Sequence, residues 1–188
     1  MAMKAGFPKE VSGVTINRVC TSAMQAIIFG TQMIRLGDAD VILAGGVEAM
    51  SSAPYVLRSA RWGQRLRHGT MGDTIWEGFT CAISKILMGR TAENLAEKYN
   101  ISRQDQDEIA LRSQQNACNA IAEGKFRDEI VPFPVAQRKG PPKIVDTDEH
   151  PRPNLTMEDL AKLPPIFKEG GTITAGNASG INDGAAAV

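Results

Sequence analysis

The run Val14-Thr15-Ile16-Asn17-Arg18-Val19-Cys20-Thr21-Ser22-Ala23-Met24 leaves this chain few ways to fold. A β-branched stretch leads straight into a single cysteine, small and hydroxyl residues follow, and an apolar helical pattern begins. From Ser22 to Leu36, apolar or small residues (Ala23, Ala26, Ile27, Gly30, Met33, Ile34) fall on nearly every side. That predicts a buried helix, ended by Gly37-Asp38. Residues 40–46 read as a short, almost wholly apolar strand, the kind found in a sheet covered on both faces. A right-handed crossover makes strands 14–19 and 40–46 parallel neighbours or near neighbours. The opening is therefore a β-α-β unit with Cys20 at the helix N-terminus. Unpaired N–H groups and the positive end of the helix dipole favour a thiolate there.

The next stretch, 51–80, is rich in Ser, Pro, Gly and Arg and reads as an irregular excursion. Two helices follow, one over 91–99 and one from Ser102 to Glu123, where Ser102-Arg103-Gln104-Asp105 resembles a capping box. Ile109, Ala110, Ser113, Ala117, Ala120 and Ile121 are the expected inner face of the second. Residues 126–135 form a strand interrupted by Pro132 and Pro134, hence an edge or an extended loop. Residues 137–171 read as surface loop with a short helix near 157–161. The closing stretch from Gly170 is rich in Gly, Ala, Thr, Ser and Asn and ends like a strand just begun.

A length of 188 residues fits one domain, or one and a fraction. Lys and Arg number 21, as do Asp and Glu, so no bulk field draws the chain to nucleic acid or to a membrane surface. No apolar stretch is long enough to span a bilayer, and the opening residues lack the apolar core of a signal peptide. The three cysteines, Cys20, Cys81 and Cys118, have neither a close pair nor metal-ligand spacing. With no secretory leader read at the start, that odd count fits a reducing, cytoplasmic setting.

Two segments carry chemistry. Cys20 is either a buried structural cysteine or a nucleophile. Its position at a strand-to-helix junction, the lack of bulk after it and the nearby Asn17 favour the nucleophile. A thiolate suits acyl transfer because it attacks a thioester carbonyl and leaves again readily, given a base and oxyanion donors. The two histidines, His68 in an Arg-rich loop and His150 beside Pro151, read as solvated surface residues. Cys81 and Cys118 read as core or helix-face residues. The second segment is Thr174-Ala175-Gly176-Asn177-Ala178-Ser179-Gly180-Ile181-Asn182-Asp183-Gly184. Its small residues allow close approach of backbone to a ligand, and equally suit a tight loop between domains. Neither a dinucleotide fingerprint nor a P-loop is present. Gly45-Gly46-Val47-Glu48 suggests a strand-end turn.

Taken together, the chain resembles the thiolases. The matching runs, in the family's order, are Asn17–Ala23, Leu43–Ser51, Met88–Asn94, Ser113–Gln115, Phe126–Pro132 and Thr174–Gly184. The resemblance implies a layered α/β fold, with part of the N-terminal half formed by 1–51 and 179–188 and an inserted loop domain over coenzyme A formed by 52–178. It implies acyl transfer between CoA thioesters, either condensation of two acyl-CoA molecules or thiolysis of a 3-ketoacyl-CoA. Cys20 matches the acyl-carrying nucleophile. Arg152 aligns with an arginine at the nucleotide end of CoA, Ala178 and Ser179 with the pantetheine contact, and Met88 with the acyl pocket. Arg61, Arg65 and Arg67 lie where some members make a tetramer contact, so a homodimer or homotetramer is implied.

No metal or tightly bound cofactor is implied; CoA and acyl-CoA are substrates. Leu87 stands where members of the biosynthetic type usually have histidine, which makes the pocket more apolar. Thr21-Ser22-Ala23 replaces their frequent Gly-Ser-Gly. The family is about twice this length. The resemblance therefore places the opening strands and helices of the N-terminal half outside the chain. The same holds for the whole C-terminal half, with its Gly-His-Pro histidine, Asn-Glu asparagine and second cysteine. Losing such groups costs about 10²–10⁴ each in rate. Part of an ordinary thiolase, half of a split enzyme and a non-catalytic CoA-binding fragment are the readings this leaves, the first favoured by the intact motifs.

Overall fold

The computed structural model describes residues 2–188. Along the chain run α1 (Ser22–Leu36), β1 (Gly45–Ala49), β2 (Tyr55–Val56), β3 (Gly72–Asp73), α2 (Thr74–Gly78), α3 (Met88–Tyr99), α4 (Arg103–Ala122), β4 (Phe133–Val135), β5 (Lys143–Val145), α5 (Met157–Ala161) and β6 (Asp183–Ala187). The chain divides into two compact units, one of the residues up to Ala53 with Ile181–Val188, the other Pro54–Gly180.

In the first unit α1 has the bounds its pattern predicts. Gly37 closes it in the left-handed region at φ 78°. The Gly37 N–H donates to Ile34 O and the Asp38 N–H to Met33 O, so the last turn's carbonyls are satisfied. β1 pairs antiparallel with β6, with Gly45 opposite Ala187 and Ala49 opposite Asp183. The main chains of Ala44 and Val188 extend the ladder by two further bonds. The glycines of β1 are explained by close approach. A Cβ on Gly46 would sit 2.8 Å from that of Ala23, and one on Gly30 of the helix 3.0 Å from Ile42.

Three expectations for this unit are corrected. Residues 14–19 form no strand, because a strand exists only by pairing and none of the described residues pairs with them beyond an isolated bridge between Arg18 and Cys20. The apolar run 40–46 is in a strand only from Gly45, and the sheet is an antiparallel pair rather than a parallel one. Within α1 only Gly30 is buried; Met24, Ile27, Phe29, Met33 and Leu36 are exposed.

The second unit is built from short elements fixed by polar contacts. β2 and β3 pair antiparallel, and Asp73 then caps α2, its carboxylate accepting from the Ile75 N–H. Asn100 in the left-handed region ends α3. Ser102 and Asp105 form the expected reciprocal capping box at α4, and Thr156 and Asp159 form another at α5. β4 and β5 make a hairpin, Phe133 opposite Val145 and Val135 opposite Lys143. β5 lies in a stretch expected to be loop, and residues 126–132 are turn and irregular chain rather than strand.

The inner face of α4 is also corrected. Ile109 and Ser113 are exposed, and the half-buried or buried line runs through Arg103, Asp107, Ala110, Gln114, Ala117 and Ile121. The apolar pattern misplaces this face because its innermost member is a carboxylate. Among the described residues of this unit the buried side chains are Ala96, Leu160, Glu93, Asp107 and Thr174.

A candidate nucleophilic cysteine and a clamped loop

Cys20 is a free, exposed thiol one residue ahead of the Thr21 N-cap of α1. The chain reaches it through a tight turn. Val19 holds a φ of 52°, an outlier for a β-branched residue. Local hydrogen bonds fix that turn. The Asn17 carboxamide oxygen accepts from the Val19 N–H at 3.0 Å, and the Ser22 hydroxyl accepts from the Arg18 N–H at 2.8 Å and donates to Val19 O at 2.7 Å. The Thr21 hydroxyl donates to Arg18 O at 2.8 Å. The Asn17 carboxamide oxygen and the Thr21 and Ser22 hydroxyls thus hold the turn that presents the thiol. Both histidines, His68 and His150, are exposed and belong to the second unit.

In the second unit the 172–177 segment is held by two buried carboxylates. Glu93 of α3 is 2 % exposed, and its carboxylate accepts from the N–H groups of Thr172 and Ile173 and from the Thr172 hydroxyl, all at 2.8–3.1 Å. Burial pushes the Glu93 carboxyl up, but these donors and the nearby Lys168 charge outweigh it and hold the group below the usual range. Asp107 of α4, also 2 % exposed, accepts from the Asn177 carboxamide NH₂ at 2.9 Å and from Arg103 Nε at 2.6 Å. Asn177 in turn donates to Thr172 O at 3.1 Å and accepts from the Thr174 N–H at 2.7 Å. Two glycines let the segment pack this closely. A Cβ on Gly171 would collide with the Glu93 carboxylate, and one on Gly176 would lie 2.5 Å from Leu160 Cδ2. The asparagine and first threonine of this motif are therefore structural and unavailable to a ligand. Ala178, half-buried, and Ser179, exposed, follow directly beyond the clamp.

The remaining candidates lie on the same unit. Leu87 is the half-buried N-cap of α3, and Met88 opens that helix at 46 % exposure, its N–H donating to Phe79 O. The helix that carries this pair therefore also carries Glu93. Arg152 is exposed, and its N–H donates to the Gln114 carboxamide oxygen at 2.8 Å, which ties the loop bearing it to α4. Arg61, Arg65 and Arg67 are exposed.

Sequence reading missed Cys81. The thiol, half-buried, is lowered to about 7 by hydrogen bonds from the Ser84 side chain and then from the main-chain N–H groups of Ser84 and Ile83, with Lys85 adding positive charge. The Ser84-Lys85 pair just beyond it is the signal that could have marked it. Cys118 is half-buried on α4, as expected. No helix among the described residues is long and apolar enough to cross a membrane.

The family model described as the N-terminal domain of thiolase matches residues 1–188. The chain is 54% identical over 188 residues to an acetyl-CoA acetyltransferase of Pseudomonas aeruginosa, covering all of this chain and 48% of that one. It is 49% identical over 189 residues to an acetyl-CoA acetyltransferase of Syntrophomonas wolfei, covering 99% and 47%. The crystal structure of the Bacillus anthracis acetyl-CoA acetyltransferase superposes with a TM-score of 0.95 at 52% identity, over 99% of this chain and 47% of that one. Human mitochondrial 3-ketoacyl-CoA thiolase in complex with CoA gives 0.92 at 45% identity, over 98% and 46%. The chain spans about half the length of the curated relatives it matches.

Proposed function

The chain belongs to the thiolase family, and on that premise we propose that it supplies the acyl-accepting cysteine and the CoA-facing loop domain of an enzyme that moves acyl groups between CoA thioesters. The observation that carries this is Cys20, a free thiol exposed on a strained turn at the head of α1. Its thiolate attacks the thioester carbonyl, a bond forms from Cys20 Sγ to the acyl carbon, and the bond from that carbon to the CoA sulfur breaks. CoA leaves as the thiol, taking the proton that Cys20 gave up. In condensation the carbanion of a second acyl-CoA then attacks the acyl carbon, and the bond from that carbon to Cys20 Sγ breaks as the carbon–carbon bond forms. In thiolysis Cys20 attacks instead the 3-keto carbon of a 3-ketoacyl-CoA, the C2–C3 bond breaks, acetyl-CoA leaves after taking a proton at C2, and the acyl group passes from Cys20 Sγ to the sulfur of free CoA.

Residues 1–51 and 179–188 serve as the catalytic core in this reading, and 52–178 as the loop domain over CoA. Arg152 pairs with the nucleotide phosphates, Ala178 and Ser179 meet the pantetheine, and Met88 with Leu87 lines the acyl pocket. Leu87 in place of a polar side chain favours more apolar acyl groups. The Cys20 main-chain N–H supplies one oxyanion donor, and the base that takes the Cys20 proton and the second donor come from the portion of the relatives that this chain does not match. Three free cysteines fit a reducing, cytoplasmic setting, and the family resemblance is what points to a homodimer or homotetramer. The test is to incubate the protein, as its native coding frame makes it, with acetyl-CoA and to map the modification. One acetyl group on Cys20, lost in Cys20→Ser, is the expected result. No acylation, or acylation of Cys81 instead, sinks the reading.

A further inference from the structure

We propose that Glu93 is a positioning residue for CoA, fixing through its carboxylate where the main chain of Ala178 and Ser179 meets the substrate. This rests on the reading of Ala178 and Ser179 as the pantetheine contact. Glu93 gathers the Thr172 and Ile173 N–H groups at the entry to the segment, and Asp107 gathers the Asn177 NH₂ at its exit. Between those two anchors Asn177 bonds back to Thr174, and the Gly176 N–H donates to the Thr174 hydroxyl at 3.1 Å, so the turn is closed on itself. Gln106 adds a third tie from α4, donating to the Thr172 hydroxyl at 2.9 Å. The next two residues, Ala178 and Ser179, inherit their position from this frame. A buried carboxylate aimed at two consecutive amides sets that position more sharply than apolar packing could, because each bond has a preferred length and direction. Glu93 touches no part of the proposed ligand sites, so its effect is on binding geometry and not on the chemical step.

The consequence is a split between affinity and turnover. Glu93→Gln keeps the shape but turns a donor NH₂ towards main-chain donors, and it loses bonds to a charged acceptor worth about ten- to a hundredfold in an equilibrium. In the protein as its native coding frame makes it, Glu93→Gln is expected to raise KM for acetyl-CoA and Kd for CoA by about ten- to a hundredfold. It should leave kcat per acylatable Cys20 unchanged, and Glu93→Asp should recover part of the loss. Thr172→Ala, which removes one hydroxyl bond and leaves the carboxylate in place, gives a smaller shift in the same direction and covers the case in which Glu93→Gln does not fold. The rate of Cys20 alkylation by iodoacetamide, which needs no CoA site, is expected to match wild type in every variant. A fall in kcat at constant KM, or CoA affinity unchanged in both variants, overturns the proposal while leaving the acyl-transfer reading intact. A wild-type protein that binds no CoA overturns both, and the absence of Cys20 acylation in a protein that still binds CoA overturns the acyl-transfer reading alone.

Discussion

Val19 adopts a backbone conformation that its branched side chain disfavours, and the residue after it is Cys20, the proposed nucleophile. Strain of this kind costs about 1–3 kcal/mol, whereas glycine would occupy the same region freely at some cost in unfolded-state entropy. Val19→Gly should therefore stabilise the fold by about 1 kcal/mol in urea unfolding at constant slope, and should slow Cys20 alkylation as the turn loosens. Destabilisation by that variant would show the turn to be unstrained. Gly176→Ala acts in the opposite sense. Its Cβ meets Leu160, whose side chain is fully buried and cannot move aside, so a loss of about 1–3 kcal/mol is expected in the same assay.

Glu93 sets an acid limit on stability. Its folded-state pKa lies below its unfolded value, so its contribution is complete above the unfolded value and is lost as pH falls through the depressed folded one. Unfolding free energy should drop over that acid window in wild type and drop less in Glu93→Gln; parallel curves would contradict this. At this scale the sequence was uneven as a guide. Cys20 stood out because a lone cysteine between a β-branched run and a helix has few bland roles. Glu93 and Asp107 did not, because a carboxylate within a helix ordinarily faces water, and what buries Glu93 is a segment 79 residues further on. The composition around Asn177 and Thr174 suits a ligand as well as a loop, and only their hydrogen-bond partners decide between the two.

Helices in this chain are written locally and sheets are not. α1 ends at its left-handed Gly37 cap, and α4 and α5 begin at their capping boxes, since a cap is a contact between residues three or four apart. Ser102→Ala should cost about 1 kcal/mol of stability, and Thr156→Ala a similar amount, each measured by urea unfolding of the single variant. A change near zero would mean that tertiary contacts alone hold those helix starts. Asp105 and Asp159 are each held below the usual carboxylate range first by the hydroxyl of their capping partner, so both boxes weaken only as pH falls through those depressed values. Strands depend on a distant partner. The apolar run 40–46 and the terminal alanines each announced a strand, but nothing local announced that β1 would meet β6 antiparallel. Residues 14–19 have the composition of a strand and no partner among the described residues, so they are not one.

At the scale of the whole molecule, apolar side chains and hydrogen bonds are divided unevenly. The first unit exposes Met24, Ile27, Ile28, Phe29, Met33, Ile34 and Leu36 along one helix. An apolar surface of that extent favours association. The 188-residue chain prepared alone should bind the dye ANS and self-associate in a concentration-dependent manner. A sharp monomeric melt without dye binding would count against that. The second unit has the reverse character, since its deepest side chains include Glu93, Asp107 and Thr174, and its buried apolar members are only Ala96 and Leu160. Hydrating apolar surface raises heat capacity on unfolding, and hydrating polar surface lowers it. An interior organised around carboxylates and amides therefore flattens the temperature dependence of stability. The loop that bears Ala178 and Ser179 should keep its shape over a broader thermal range than a greasy core of the same size would allow, and in the cold it should be among the last parts of the chain to loosen.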